Sequence, residues 1–110
     1  MKELLENADE SMESAEDDVK KRRYNSAVSS FFRAIANLSD YLIRREIKIF
    51  PKNHNERFQL LEKYFPKIYE KTKELFSLYR ESYNLRLAKE DALKIGEYAN
   101  ELRNIAENKK

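Results

Sequence analysis

At 110 residues the chain suffices for one hydrophobic core and leaves little room for another, so a single domain over 1–110 is expected. With 41% hydrophobic and 38% charged residues it should fold as a soluble globule, and a net charge of +2 provides no global field for a polyanion, so any basic patch must be local. One Gly and two Pro argue against hairpins, sandwiches and phosphate-cradling loops, while the absence of Cys excludes disulfides, thiolate zinc sites and Cys nucleophiles together.

The first predicted element runs from Lys2 to about Arg22. Leu5, Ala8, Met12, Ala15 and Val19 recur every three or four residues, which places them on one helical stripe. Acidic residues crowd its start and Lys20, Lys21, Arg22 and Arg23 close it, so both ends suit the helix dipole. The basic run reads either as that terminus or as a nucleic-acid contact patch, although no aromatic or Gly-rich platform accompanies it. The second element, Tyr24 to about Phe50, carries Ala27, Val28, Phe31, Ile35, Leu38, Leu42 and Ile43, broadened by Phe32, Ala34 and Ala36. It is apolar nearly all round and should be the central helix. Arg33 interrupts that face, either as a boundary charge with its stem along the surface or as a buried functional arginine, and Asn37, Ser39 and Asp40 add polar atoms near it.

Pro51 disfavours α geometry at Phe50, and Lys52, Asn53, His54 and Asn55 have loop chemistry, so a turn is expected here. Asn53 followed by Glu56 resembles a capping box and opens a short third helix through Phe58, Leu61, Tyr64 and Phe65. Pro66 ends that helix and can start the next, because the first turn needs no amide donor. A fourth helix, about Lys67 to Arg86, sets Ile68, Thr72, Leu75, Phe76, Tyr79 and Tyr83 on one side; a fifth, about Lys89 to Asn108, repeats Ala92, Ile95, Ala99, Leu102 and Ile105. Gly96 inside it costs about 1 kcal/mol relative to Ala and marks either close approach of another helix, as across a dimer, or a tolerated surface defect. The polar tail, Asn108 to Lys110, is expected to fray.

Five helices joined by short loops bury their stripes most simply as an all-α, antiparallel four- to five-helix bundle. No apolar run approaches the roughly 20 residues that span a bilayer, and the acidic N-terminus lacks the basic-then-apolar order of a secretion signal, so a cytoplasmic location is expected. Abundant Glu and Lys without Cys or Trp resemble a thermophile's composition, toward which any helical protein drifts.

A nucleophile needs a base within hydrogen-bond reach, and His54 is the single histidine. In a polar loop at a helix start it reads as a surface or capping residue; one turn from Arg57, it could also face a phosphate together with the guanidinium. No His-x-x-x-His or Glu-x-x-His spacing occurs, so neither a metal nor a cofactor is expected, and one glycine cannot supply Walker, GxGxxG or GxSxG motifs. Asp17 and Asp18 read as a salt-bridged, solvated helix face. The most distinctive stretch is Tyr79-Arg80-Glu81-Ser82-Tyr83-Asn84-Leu85-Arg86. Helical spacing puts Tyr79 and Tyr83 on one face, Arg80 beside Tyr83 or Asn84, and Arg86 beside Ser82 or Tyr83. Such a cluster either binds a phosphate or a partner's carboxylate through its arginine forks, or packs its aromatic rims inward while the arginines face water.

The order of these features resembles the HEPN domains, small α-helical proteins of archaea and bacteria. Tyr24-Asn25-Ser26-Ala27-Val28-Ser29-Ser30-Phe31-Phe32-Arg33-Ala34, after a basic helix end, is similar to the family's second-helix start. Asn53-His54-Asn55-Glu56-Arg57-Phe58 resembles the start of its short third helix, and Arg80-Glu81-Ser82-Tyr83-Asn84 followed by Glu90-Asp91-Ala92 resembles its Arg-x-x-Tyr-polar turn into the last helix. The resemblance covers roughly residues 8 to 106. It implies a four- or five-helix bundle, usually dimeric, in a family that includes RNA-cleaving toxins and partners of small nucleotidyltransferases. Cleaving members carry an Arg-x(4–6)-His motif; Arg80 matches the arginine, but Leu85, Arg86 and Leu87 stand where the histidine would fall. The resemblance therefore implies a non-catalytic homodimer acting as a binding or partner subunit of a nucleotidyltransferase-associated, toxin-antitoxin-like system, with Arg80, Tyr83 and Arg86 lining a polar groove for a partner or nucleotide and Arg57 and His54 as further contacts. Two alternatives stay open. One is a divergent, metal-independent ribonuclease in which Arg80 and Arg86 neutralise phosphate while His54 or Tyr83 assists proton transfer; the other is RNA binding through Lys20, Lys21, Arg22 and Arg23.

Overall fold

The apolar stripes become five α-helices in a computed structural model that describes residues 1–108: α1 (Lys2–Lys20), α2 (Tyr24–Ile47), α3 (His54–Tyr64), α4 (Pro66–Glu81) and α5 (Lys89–Glu107). No strand occurs among the described residues, so the chain is all-α. The 24 residues of α2 span about 36 Å at 1.5 Å per residue, close to the 38 Å long dimension of the molecule. Its stripe is broad because it packs against all four other helices. Phe32, Ile35, Leu38 and Leu42 form the axis of one core, which Ala8 and Ala15 of α1, Leu75 of α4, and Ile95, Ala99 and Leu102 of α5 complete. Small alanines on α1 let that helix lie close along α2.

The basic run makes the reversal between α1 and α2. The Arg23 amide donates to the Asp18 carbonyl at 2.8 Å and the Arg22 amide to the Val19 carbonyl at 3.0 Å, with Arg22 left-handed at φ 62°. This is a Schellman closure, and it stops α1 at Lys20 rather than near Arg22. A second left-handed residue, Lys48 at φ 64°, ends α2 at Ile47, short of the expected Phe50. Its amide donates to the Arg44 carbonyl at 3.0 Å, so the chain turns before the Pro51 constraint applies. The fifth helix is fastened near its C-terminal end by two arginines. Arg103 donates to both Asp9 carboxylate oxygens of α1 at 2.7 and 3.1 Å, and Arg45 of α2 donates to the Ala106 and Asn108 carbonyls at 3.0 and 3.2 Å. The expected fraying of the tail falls largely on 109–110, which lie outside the described residues.

Gly96 is buried, and a Cβ built there would lie 2.8 Å from Cζ of Phe31. The glycine thus admits the α2 ring against α5 within one chain; it is not a surface defect. Among the described residues no helix is long and apolar enough to cross a membrane.

Candidate functional site

The start of α3 positions the first part of the site. Asn53 Oδ1 accepts from the Glu56 amide at 2.9 Å, as a capping residue does, but the Glu56 carboxylate accepts from the Lys52 amide at 2.7 Å rather than from Asn53. His54 therefore occupies the first helical position and Arg57 lies one turn later, where both reach α2. Arg57 Nε donates to Asp40 Oδ1 at 2.7 Å and Nη2 to Asp40 Oδ2 at 3.0 Å, a bidentate pair with both side chains about nine-tenths buried. Its Nη1 lies 2.6 Å from His54 Nδ1. A guanidinium can only donate, so Nδ1 is the acceptor and the neutral ring carries its proton on Nε2. Burial, and then the neighbouring Arg57 charge, hold the His54 pKa below its ordinary value, with Asp40 opposing them.

Aromatic rings build the wall beside this triad. Phe32 stacks on Tyr79 with centroids 4.8 Å apart, Phe76 lies 5.2 Å from His54, and Phe58 meets Phe76 edge-on at 5.1 Å. They border a recess of about 200 Å³ lined by Ser29, Phe32, Arg33, His54, Tyr79 and Tyr83. Arg33 is exposed, as a boundary charge, and also lines a second polar recess with Asn37 and residues of α1. The hydroxyls of Tyr79 and Tyr83 are 2.8 Å apart. That shared hydrogen bond, then burial, raises the Tyr79 pKa, so the phenol stays protonated.

The α4 terminus differs from its sequence expectation. The helix stops at Glu81, and Ser82 to Leu85 continue it as irregular turns, so Arg86 lies outside regular helix and without helical spacing to Tyr83. Asn25 of α2 holds this turn. Its Nδ2 donates to the Ser82 and Leu85 carbonyls at 2.8 and 2.6 Å, and its Oδ1 accepts from the Leu87 amide at 2.9 Å. One side chain thus takes the backbone groups that a longer helix would have used. Tyr83 keeps its contact with Tyr79 but is 69% exposed.

Arg80 packs over Phe76 and lines a different, open recess of about 470 Å³ with Ser77, Glu81, Asn84 and Leu85. His54 and Arg80 share no hydrogen bond among the described residues, and neither Arg80 nor Arg86 has a carboxylate partner there. Each guanidinium nitrogen of Arg57 is engaged by Asp40 or His54. In the basic run, Lys21 pairs with Asp17 at 2.9 Å and Arg23 approaches Asp18 at 3.7 Å. Asp17 is solvated as expected, whereas Asp18 is buried and accepts from Ser26 Oγ at 2.7 Å because it sits inside the α1–α2 reversal. No three metal-ligating side chains of His, Cys, Asp or Glu converge among the described residues.

Sequence reasoning missed two residues. Asp40 carried a usable signal, since a carboxylate within an apolar stripe requires a cation from another element. Asn25 carried none, because a small polar residue at a helix start has an adequate local explanation. Compared with protein-family models, curated proteins and solved structures, the chain matches none.

Proposed function

We propose that this chain is a non-catalytic, HEPN-like helical bundle that works as a cytoplasmic, homodimeric binding subunit beside a small nucleotidyltransferase-type protein. The observation that carries the non-catalytic half is the commitment of the only histidine: His54 accepts from Arg57 at Nδ1, so its lone pair is used and Nε2 carries a proton. A general base would need one nitrogen free. The binding half is supported by the recess itself, which Arg33, Ser29, His54 and Tyr83 line beside aromatic rings. Residues with such donors around a small space suit an acceptor group such as a phosphate or a carboxylate. Arg80, in the neighbouring recess, adds a second fork within the same end of the molecule. The dimer and the nucleotidyltransferase follow from the family resemblance.

The test combines three measurements on the purified chain: light scattering for self-association, titration with inorganic phosphate and a 5′-mononucleotide, and incubation with single-stranded RNA. A dimer that binds either anion, loses binding in Arg33→Ala with helicity retained, and leaves RNA intact is expected. RNA cleavage that disappears in His54→Ala or Arg80→Ala would replace this reading with the ribonuclease one.

A further inference from the structure

A short set of side chains holds α3 to the bundle, with Phe58 half-buried against Phe76 of α4. Of its eleven residues only Arg57 and Leu61 are buried, and Arg57 stays inside because Asp40 and His54 receive its donors. Protonation of His54 removes one of those acceptors. Both ring nitrogens would then donate, and an N–H would face the Arg57 N–H across a gap that is now 2.6 Å. The new cation would also sit at the first position of a helix, the end where the dipole disfavours positive charge. The charged and titratable groups around the ring give little relief. From α2, Asp40 is already held bidentately and Arg33 is another cation; from α4 and the turn after it, Tyr79 and Tyr83 bring uncharged phenols; Arg57 is the neighbour within α3.

We propose that His54 is a proton-sensitive catch on the recess: neutral, it fastens the start of α3 through Arg57, and protonated, it releases that end and opens the side of the recess that His54 lines. The opening does not depend on what the recess binds; only its consequence, release of an anionic partner group in acid, rests on the preceding reading. The sign follows from the direction of the His54 shift. Its ordinary pKa is 6.5 and the folded environment lowers it, so the α3 contact is intact above that pH. The contact weakens as pH falls through 6.5, because the released state binds the proton better, and the loss levels off below the folded-state value.

The intact chain allows a direct test because it has one histidine. Ring nitrogen shifts at about pH 7.5 should report the Nε2-protonated tautomer. Amide protection factors of α3, compared between about pH 7.5 and about pH 5, should fall relative to those of α1 and α5, by up to about tenfold for each unit of lowering. In His54→Asn the amide oxygen can still accept from Arg57 without titrating, so α3 protection should be level across the same range. An Nδ1-protonated ring, unchanged α3 protection in the wild type, or an equal loss in His54→Asn would each overturn the catch; the first two need no variant to fold. A chain that binds no anion yet loosens α3 in acid would sink the binding reading and leave the catch standing.

Discussion

The α2–α3 contact and the α4–α5 junction both bring arginine, aromatic and small polar residues together, yet they resolve in opposite ways. At the first, Arg57 is drawn inside by Asp40, seventeen residues earlier on another helix. At the second, Arg80 and Arg86 remain exposed, and neither forms an ion pair with a carboxylate among the described residues. Burial of an arginine is thus decided by its partner and not by its own neighbourhood, since an unpaired buried charge costs several kcal/mol and a solvated one costs little.

The strongest test of that contrast removes the partner. Asp40→Ala leaves the Arg57 guanidinium buried with His54 as its only acceptor, and should destabilise the fold by about 3–5 kcal/mol in urea unfolding. A loss under about 1 kcal/mol would mean that Arg57 swings out to water and that the two regions differ less than their geometry suggests. Next in size is the clamp that shapes the second region. Asn25→Ala deletes three hydrogen bonds to the 82–87 backbone and should cost about 2 kcal/mol, accompanied by faster amide exchange at Leu87. Unchanged exchange would show that α4 ends at Glu81 for reasons of its own.

A smaller effect is expected at Gly96. Ala there gains about 1 kcal/mol of helix propensity but pushes a methyl to within 2.8 Å of Phe31, and overpacking of this kind costs about 1–3 kcal/mol. Gly96→Ala should therefore lose about 1 kcal/mol net. A gain in stability would mean that the Phe31 ring slides into the adjoining groove lined by Val19 and Leu93 without strain.

These positions also mark where the sequence was legible. Five helices, the central role of α2, the Asn53 cap and the Pro66 start follow from periodicity and local chemistry, which act within a few residues. The helix ends were harder. The one glycine is spent inside α5, so the left-handed turns after α1 and α2 fall to Arg22 and Lys48, residues that carry no turn signal. The site was hardest, because its organising contacts join distant segments: Asp40 to Arg57, and Asn25 to a turn about sixty residues away. His54 and Arg57 were paired by spacing alone, but the direction of their hydrogen bond, and with it the histidine's chemistry, depends on Asp40 holding the guanidinium in place.

The least effect on stability is expected from Arg80→Ala combined with Arg86→Ala. Both side chains are exposed, and truncating surface residues away from a buried network usually changes stability by no more than about 0.5 kcal/mol. Arg80 also lies over the Phe76 ring at 5.9 Å, a contact worth about 0.5–1 kcal/mol at an exposed site, so a loss near the top of this range should come from that residue rather than from Arg86. Urea unfolding of the double variant and of each single variant separates the two contributions. If Arg86→Ala alone costs more than about 1 kcal/mol, the segment after Asn84 is held by a contact of that arginine, and the contrast between a locked arginine in α3 and free ones after α4 no longer stands.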